Sequence, residues 1–261
     1  MIQTAEPPPG MLSAQGYSTR FAQDLADVRA VQRLRFEVFN LELQEGLAEA
    51  YALGRDEDVF DEVCHHLLVM GPDEGVVGTY RMLSLELLPP DGPGLYAATE
   101  FDLSGLPAEV LADSVEVGRA CVSAGHRSGR VITMLWRGLA HYMTWHRKRY
   151  LFGCCSIPAT SKAEGHRLYR ALRQRPGAFS ETIQITPLPS LDCLTVPFEA
   201  EDCADVALPP LFESYLRLGA RVCGPPALDA EFGTVDFFML LDLHTLPPRA
   251  QRFFRPTPWE R

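Results

Sequence analysis

Residues 114–123, Ser-Val-Glu-Val-Gly-Arg-Ala-Cys-Val-Ser, set an acid and a base inside an otherwise apolar, β-prone run. Val115, Val117, Ala120, Cys121 and Val122 specify a buried strand over 115–122, and charges are rarely buried unless they are paired or used. Directly after it comes Ala-Gly-His-Arg-Ser-Gly-Arg (124–130), a small basic turn that opens a long amphipathic stretch. A strand with a charged pair feeding a basic helix N-terminus can hold an anionic carrier beside a reacting centre. Glu116 and Arg119 are an odd number of residues apart, so a regular strand points them to opposite faces. Gly118 between them marks a place for a bulge that re-aims one of them.

Around this run the patterns alternate between strand and helix. Val31, Leu34, Val38 and Leu41 recur at helical spacing from Leu25 to about Gly46, with Arg35 and Phe39 on a neighbouring stripe. The acidic loop 56–61 leads into a strand at 64–70, a turn at 71–75 and a returning strand at 76–85, which together read as a hairpin. A short strand is expected at 96–101. A helix is expected from 129 to 146, a buried strand at 150–157 closed by Pro158, and a helix capped by Thr160 or Ser161. Strands at 182–185 and 193–198, a helix at 210–218, a Gly/Pro-rich loop at 219–233 and an apolar strand at 235–243 complete the pattern. This is an α/β (α+β) chain without an internal repeat.

Length and composition allow one sizeable core: 261 residues, 46% of them hydrophobic. The reading assigns 1–19 to a disordered, Pro-rich, acidic N-terminus without signal-peptide character, 20–245 to a single domain and 246–261 to a basic tail. No apolar run reaches membrane-spanning length. The seven cysteines, odd in number and without a CxxC pair, read as reduced thiols of a cytoplasmic protein. No metal site is expected, since His65 and His66 are adjacent and a strand turns them to opposite faces. The net charge of −10 conceals an asymmetry: from His126 to Arg175 eleven basic residues face one acid, Glu164, a net of +10 that leaves −20 elsewhere. Such a sector suits an acidic partner. Nucleic acid is disfavoured, because the whole chain is acidic and no nucleic-acid motif accompanies the patch.

The ordered set Arg35-x-x-x-Phe39, Asp58-x-x-Asp61, Gly78-Thr79-Tyr80-Arg81-Met82-Leu83 and Glu116-x-x-Arg119 resembles the acyl-homoserine-lactone autoinducer synthases, members of the GNAT acyltransferase superfamily. Cys64 to Val69, Glu116 to Val122, Tyr215 to Ala220 and Asp229 to Asp236 are closer to the ornithine-acyl-carrier-protein N-acyltransferases, which make lyso-ornithine lipid. The likeness runs from about Arg20 to Leu243. It implies a central twisted mixed sheet flanked by helices, with the donor's pantetheine arm beside the 115–122 strand and its phosphate at the 124–130 turn. That turn departs from the usual Gly-rich pattern; with fewer glycines the backbone approaches a pyrophosphate less closely. Acyl carrier protein, with one phosphate there, is thus favoured over coenzyme A, and no permanently bound cofactor is expected.

The chemistry requires an amine to lose its proton and attack a thioester through an oxyanion. Glu116 and Arg119 are the candidate catalytic residues, Glu116 as base through desolvation, with the alternative that Glu116 simply pairs with an arginine to hold the strand. Arg35, Arg81 and Arg119 suit a substrate carboxylate or the ordering of acidic loops. Asp58, Asp61, Asp229 and Asp236 suit the cationic side chain of an acceptor such as ornithine, or capping. Phe39 suits ligand contact or packing. Arg127, Gly129, Arg130 and Arg137 are the expected carrier contacts. A peripheral membrane contact through 208–218 or the aromatic tail is a further expectation. An autoinducer-type or other N-acyl amino acid synthase, and a non-catalytic carrier- or lipid-binding protein, are the competing functions.

Overall fold

The computed structural model of the chain describes residues 6–73, 75–197, 207–255 and 258–260. Order begins earlier than the sequence suggests: β1 (Leu12–Ala14) and β2 (Tyr17–Phe21) pair antiparallel around Gln15 and Gly16, both at positive φ. A three-residue strand is too short for alternation to reveal it, so disorder through residue 19 does not hold over 12–19. Helix α1 (Leu25–Arg35) starts where Asp24 accepts from the Asp27 N–H. At Phe36 the expected long helix changes to a π-helix, Phe36–Leu43, closed by Gln44 in the left-handed region. A short α2 (Ala50–Leu53) follows.

Strands β3 (His65–Met70) and β4 (Val76–Leu83) form the expected hairpin. The segment expected as a strand at 96–101 is a 3-10 turn, Tyr96–Thr99, followed by β5 (Phe101–Asp102). Then come α3 (Ala108–Ala112), β6 (Ser114–Val122), α4 (Arg130–His146), β7 (Tyr150–Pro158) and α5 (Lys162–Arg173). Ser161 and Glu164 cap α5 reciprocally. The strand expected at 182–185 is displaced to β8 (Thr186–Pro187), paired with β5. The one expected from Cys193 is a 3-10 turn, Cys193–Thr195, capped by Asp192, and its far end at Phe198 lies outside the described residues. Helix α6 (Pro210–Leu218) has its predicted bounds. Strands β9 (Arg221–Val222) and β10 (Ala227–Asp229) occupy the expected loop, before β11 (Thr234–Asp242) and α7 (Pro248–Gln251).

Where the sequence suggests one domain, the chain divides into two compact units. The first comprises Met1–Pro93, Val117–Arg149 and Gln251–Arg261; the second comprises Gly94–Glu116 and Tyr150–Ala250. Strand β6 contributes its first three residues to the second unit and the rest to the first.

In the first unit the strand order is β1-β2-β3-β4-β6. The β3–β4 register sets Leu67, Val69, Gly78 and Tyr80 on one face and His66, Leu68, Thr79 and Arg81 on the other. Helix α4 covers the former face at very short range. A Cβ on Gly78 would lie 2.5 Å from Val131, and one on Gly138 would lie 2.5 Å from Leu67. Helix α1 lies against β4 on the arginine side. The C-terminal tail is anchored by its aromatics: Trp259 stacks on His141 at 4.2 Å and Phe253 meets Trp136 at 4.9 Å.

In the second unit β6 pairs parallel with β7 over Ser114–Glu116, and β7 pairs antiparallel with β11 along nine residues. This register puts Glu116, Phe152, Cys154, Asp236 and Phe238 on one face. Phe152 and Phe238 stack at 5.3 Å there, while Phe212 of α6 packs on Phe237 at 5.7 Å on the opposite face. The apolar stripe of α6 is therefore seated on the sheet.

Because Gly138 makes the α4–β3 contact possible, Gly138→Ala is expected to destabilise the protein by about 1–3 kcal/mol through overpacking. A lowered urea midpoint with an unchanged slope would report this; an unmoved midpoint would mean the helix yields at no cost.

Candidate active site

In the first unit Arg35, at the last turn of α1, is almost wholly buried, 1% exposed. Its Nε donates to Asp56 Oδ1 at 2.7 Å and its two terminal nitrogens reach Asp61 Oδ1 and Oδ2 at 2.8 and 2.9 Å. Gln32, one turn earlier, donates to Asp61 Oδ2 at 2.9 Å. Arg81 of β4 donates to Asp58 Oδ1 at 2.5 Å and to Asp61 Oδ1 at 2.9 Å. Arg119 of β6 donates to Asp58 Oδ2 at 3.1 Å and stands 3.5 Å from Asp56 Oδ1. Asp58 also caps the 3-10 turn Val59–Glu62, accepting from the Phe60 N–H. Three arginines from α1, β4 and β6 thus hold three aspartates of one loop. Burial alone would raise the Asp61 carboxyl, but Arg35 and Arg81 outweigh it and hold the group well below the usual carboxylate range.

This geometry orders the acidic loop. Arg35, Arg81, Asp58 and Asp61 pair with one another, the loop-ordering alternative among the roles weighed for the arginines. Phe39, on the π-helix, packs against Leu34, Val38 and Cys121. His65 and His66 part as expected: His65 Nδ1 meets the Tyr142 hydroxyl at 2.9 Å, and His66 Nε2 meets the Asp61 carbonyl at 3.1 Å.

Arg119 sits at φ 50, in the left-handed region, so the irregular backbone expected at Gly118 falls one residue later, on a side chain braced by Asp58. Strand β6 is buried at Ser114–Glu116 and again at Cys121, but only partly over Val117–Ala120. A Cβ on Gly118 would meet nothing within 4 Å. A left-handed non-glycine residue costs roughly 1–3 kcal/mol and persists only where its surroundings over-determine it.

Glu116 takes a different role from the one its sequence environment suggests. Its Oε2 and Oε1 accept the Tyr96 and Ala97 backbone N–H groups at 2.9 and 2.6 Å, capping the 3-10 turn Tyr96–Thr99. Those bonds explain why 96–99 is a turn, and they engage the carboxylate expected to act as base. The end of the same turn carries Glu100, which sequence reasoning passed over. Glu100 is 4% exposed, and neither carboxylate oxygen has a hydrogen bond of good geometry, the Tyr96 hydroxyl and the Cys154 thiol being its weak nearby donors. Its carboxylate, the Cys154 thiol and the Asp236 carboxylate, which Thr234 Oγ1 approaches at 3.0 Å, place one donor atom each within 4.8 Å of one another. Burial first, then Asp236 and Asp229, push the Glu100 carboxyl up to about 9. Asp229 itself caps the following turn, accepting the Glu231 and Phe232 N–H groups at 3.0 and 3.1 Å. Glu100 was legible by the argument applied to Glu116, an acid inside the weakly polar run Tyr-Ala-Ala-Thr-Glu-Phe.

The basic residues of 126–175 are divided: Arg127, Arg130, Arg137, Arg147, Lys148 and Arg149 belong to the first unit, and the other five to the second. Arg127 is bound to Glu42 at 2.5 and 2.8 Å and to the Val122 carbonyl at 3.0 Å. Gly129, at φ 86, is the residue from which α4 starts, and Arg130 is exposed on its first turn. Arg137 lies two turns further along.

Residues 34–137, from α1 to the middle of α4, match the acetyltransferase (GNAT) domain family. Together with the mixed, helix-flanked strands this defines a GNAT-type acyltransferase. An L-ornithine N(alpha)-acyltransferase of Agrobacterium fabrum is 33% identical over 260 residues, 95% of this chain and 88% of that protein. One of Rhizobium meliloti is 31% identical over 248 residues, 90% of this chain and 83% of that protein. The chain belongs to the L-ornithine N(alpha)-acyltransferase family. Among solved structures, the acyl-homoserine lactone synthase LasI superposes with a TM-score of 0.47 at 14% identity, covering 94% of this chain and 98% of that one. FeeM, an N-acyl amino acid synthase from uncultured soil microbes, gives 0.46 at 12% identity, covering 90% and 97%. At this level of superposition neither likeness carries an argument about activity.

Two expectations follow. Arg35→Met leaves Asp56 and Asp61 buried without their main counter-charge and should cost about 3–5 kcal/mol, read as a fall in the denaturant midpoint. Glu100 is raised in the folded state, so the folded protein keeps a proton that the unfolded chain releases above about 4.5. Its contribution is fully present below that pH and is lost as pH rises toward about 9. Glu100→Gln should flatten the decline in stability over this window; an identical profile would show that Glu100 is ionised in the folded protein.

Proposed function

We propose that the chain transfers a long (3-hydroxy)acyl group from the phosphopantetheine thioester of acyl carrier protein to the α-amine of ornithine, giving lyso-ornithine lipid. The observation that carries this reading is family membership across nearly the whole chain: the relatives named above are L-ornithine N(alpha)-acyltransferases. The geometry supports it. The amine lone pair attacks the thioester carbonyl, the C–N bond forms, the C–S bond breaks, and the thiol leaves as the amine gives up its proton. This reaction needs a donor arm laid along backbone N–H groups that receive the oxyanion. The partly open Val117–Ala120 stretch of β6, with its left-handed residue locked by Asp58, offers such a segment.

The donor's single phosphate would meet the exposed start of α4, where Arg130 adds charge to the helix N-terminus. Arg127 faces Glu42 and enters only by exchanging partners. Acyl-CoA is the alternative donor, and its extra phosphates would have to be met by the same few groups. No helix of the described residues is long and apolar enough to cross a membrane. The reading places the enzyme in the cytoplasm at the inner membrane face, where its amphiphilic product departs.

Purified protein given 3-hydroxyacyl carrier protein and L-ornithine should yield N-acylornithine by mass spectrometry. Failure to acylate ornithine with either the carrier-protein or the coenzyme A donor would remove the reading. Arg130→Glu with Arg137→Glu should raise the KM for acyl carrier protein roughly tenfold or more while leaving the KM for ornithine in place. An unchanged donor KM would move carrier docking elsewhere.

A further inference from the structure

The second unit carries a cluster of buried acids that no acyl-transfer step so far requires. The β7–β11 register sets Cys154 diagonally across from Asp236 on the same face, and Glu100 comes over that face from the end of the 96–99 turn. Glu100 is 4% and Asp236 3% exposed, so two carboxylates share a nearly dry site. The groups that bear most on Glu100 are Asp236 of β11, Asp229 of β10, Tyr96 of its own turn and Cys154 of β7; Glu116 of β6 bears on Cys154. The charges among these are all negative, and none is a cation. A buried carboxylate without a hydrogen-bond partner is expensive unless protonated or supplied with a counter-charge. Cys154 as a residue is half-buried, less enclosed than the two acids beside it.

We propose that Glu100 and Asp236 form an anionic subsite that takes the side-chain ammonium of a diamino-acid acceptor. This rests on the acyltransferase reading and adds to it the residue pair that selects a cationic acceptor. A primary ammonium has three donors on one point charge, which suits two converging carboxylates, one of them held by the Thr234 hydroxyl and the other without a well-formed hydrogen bond. Because the empty pair keeps a proton, arrival of the ammonium expels it: the Glu100 O–H proton goes to solvent and the cation takes its place. Binding of ornithine is therefore linked to proton release, whereas an acceptor of the same length without the side-chain amine leaves the proton where it is.

The test is isothermal titration of the full-length protein with L-ornithine and with L-norvaline, in two buffers of different ionisation enthalpy at pH 7. Ornithine should bind at least roughly tenfold more tightly than norvaline, the worth of one charge-assisted pair, and release up to about one proton, while norvaline releases none. Glu100→Gln, which keeps the shape, should lose both the preference and the proton release while keeping the weak norvaline affinity; Asp236→Asn should lose the preference. Equal binding of the two amino acids by the native protein would overturn the subsite, as would Glu100→Gln binding ornithine with native affinity and proton release. So would stoichiometric zinc in the purified protein that disappears in Glu100→Gln, since a metal would then own the cluster. Failure of the acyl-transfer reading looks different: ornithine would titrate as described but would not be acylated.

Discussion

The buried ion-pair network of Arg35, Arg81 and Arg119 with Asp56, Asp58 and Asp61 is the constraint on which the first unit depends. Its charges balance, and it joins α1, β4 and β6 through one acidic loop. Such a network is weak evidence of net stabilisation, because desolvating six ions costs about as much as their pairing returns. What it supplies is position. With Arg35 almost wholly buried the loop has one placement, and that placement puts Asp58 where it can hold a left-handed Arg119 in the middle of β6.

The second unit treats charge differently. Glu116 is satisfied by two backbone N–H groups and thereby creates the turn that delivers Glu100. Glu100 has no such donors and lies against other acids. Two glutamates sixteen positions apart thus divide the work that the sequence pattern assigns to one: the first builds, and the second is left chemically available. Environment decides this, because both are acids in weakly polar runs with nothing local to separate them.

Legibility followed element length and periodicity. The α4 helix and strands β3, β4, β6, β7 and β11 stand where apolar patterning puts them, because each buries a continuous face. Short strands were not visible: β1, β9 and β10 are two or three residues long and exist only because a longer neighbour pairs with them. The switch from α1 to a π-helix has no signature in the apolar stripe, which continues through it. Charged residues were legible as a set, but the choice between substrate contact and loop ordering was not, since the pairs that order the loop close between elements far apart in the chain.

By itself the sequence determined the strand-and-helix order, the acidic loop, the charged run in β6 and the family, because these rest on local periodicity and on ordered motifs. Tertiary structure alone decided which charges cancel and which remain. An ion pair such as Arg119–Asp58 closes across 61 positions of chain, and a carboxylate becomes costly or harmless according to which N–H groups the fold brings to it. Neither fact is written in the residues' neighbours along the chain.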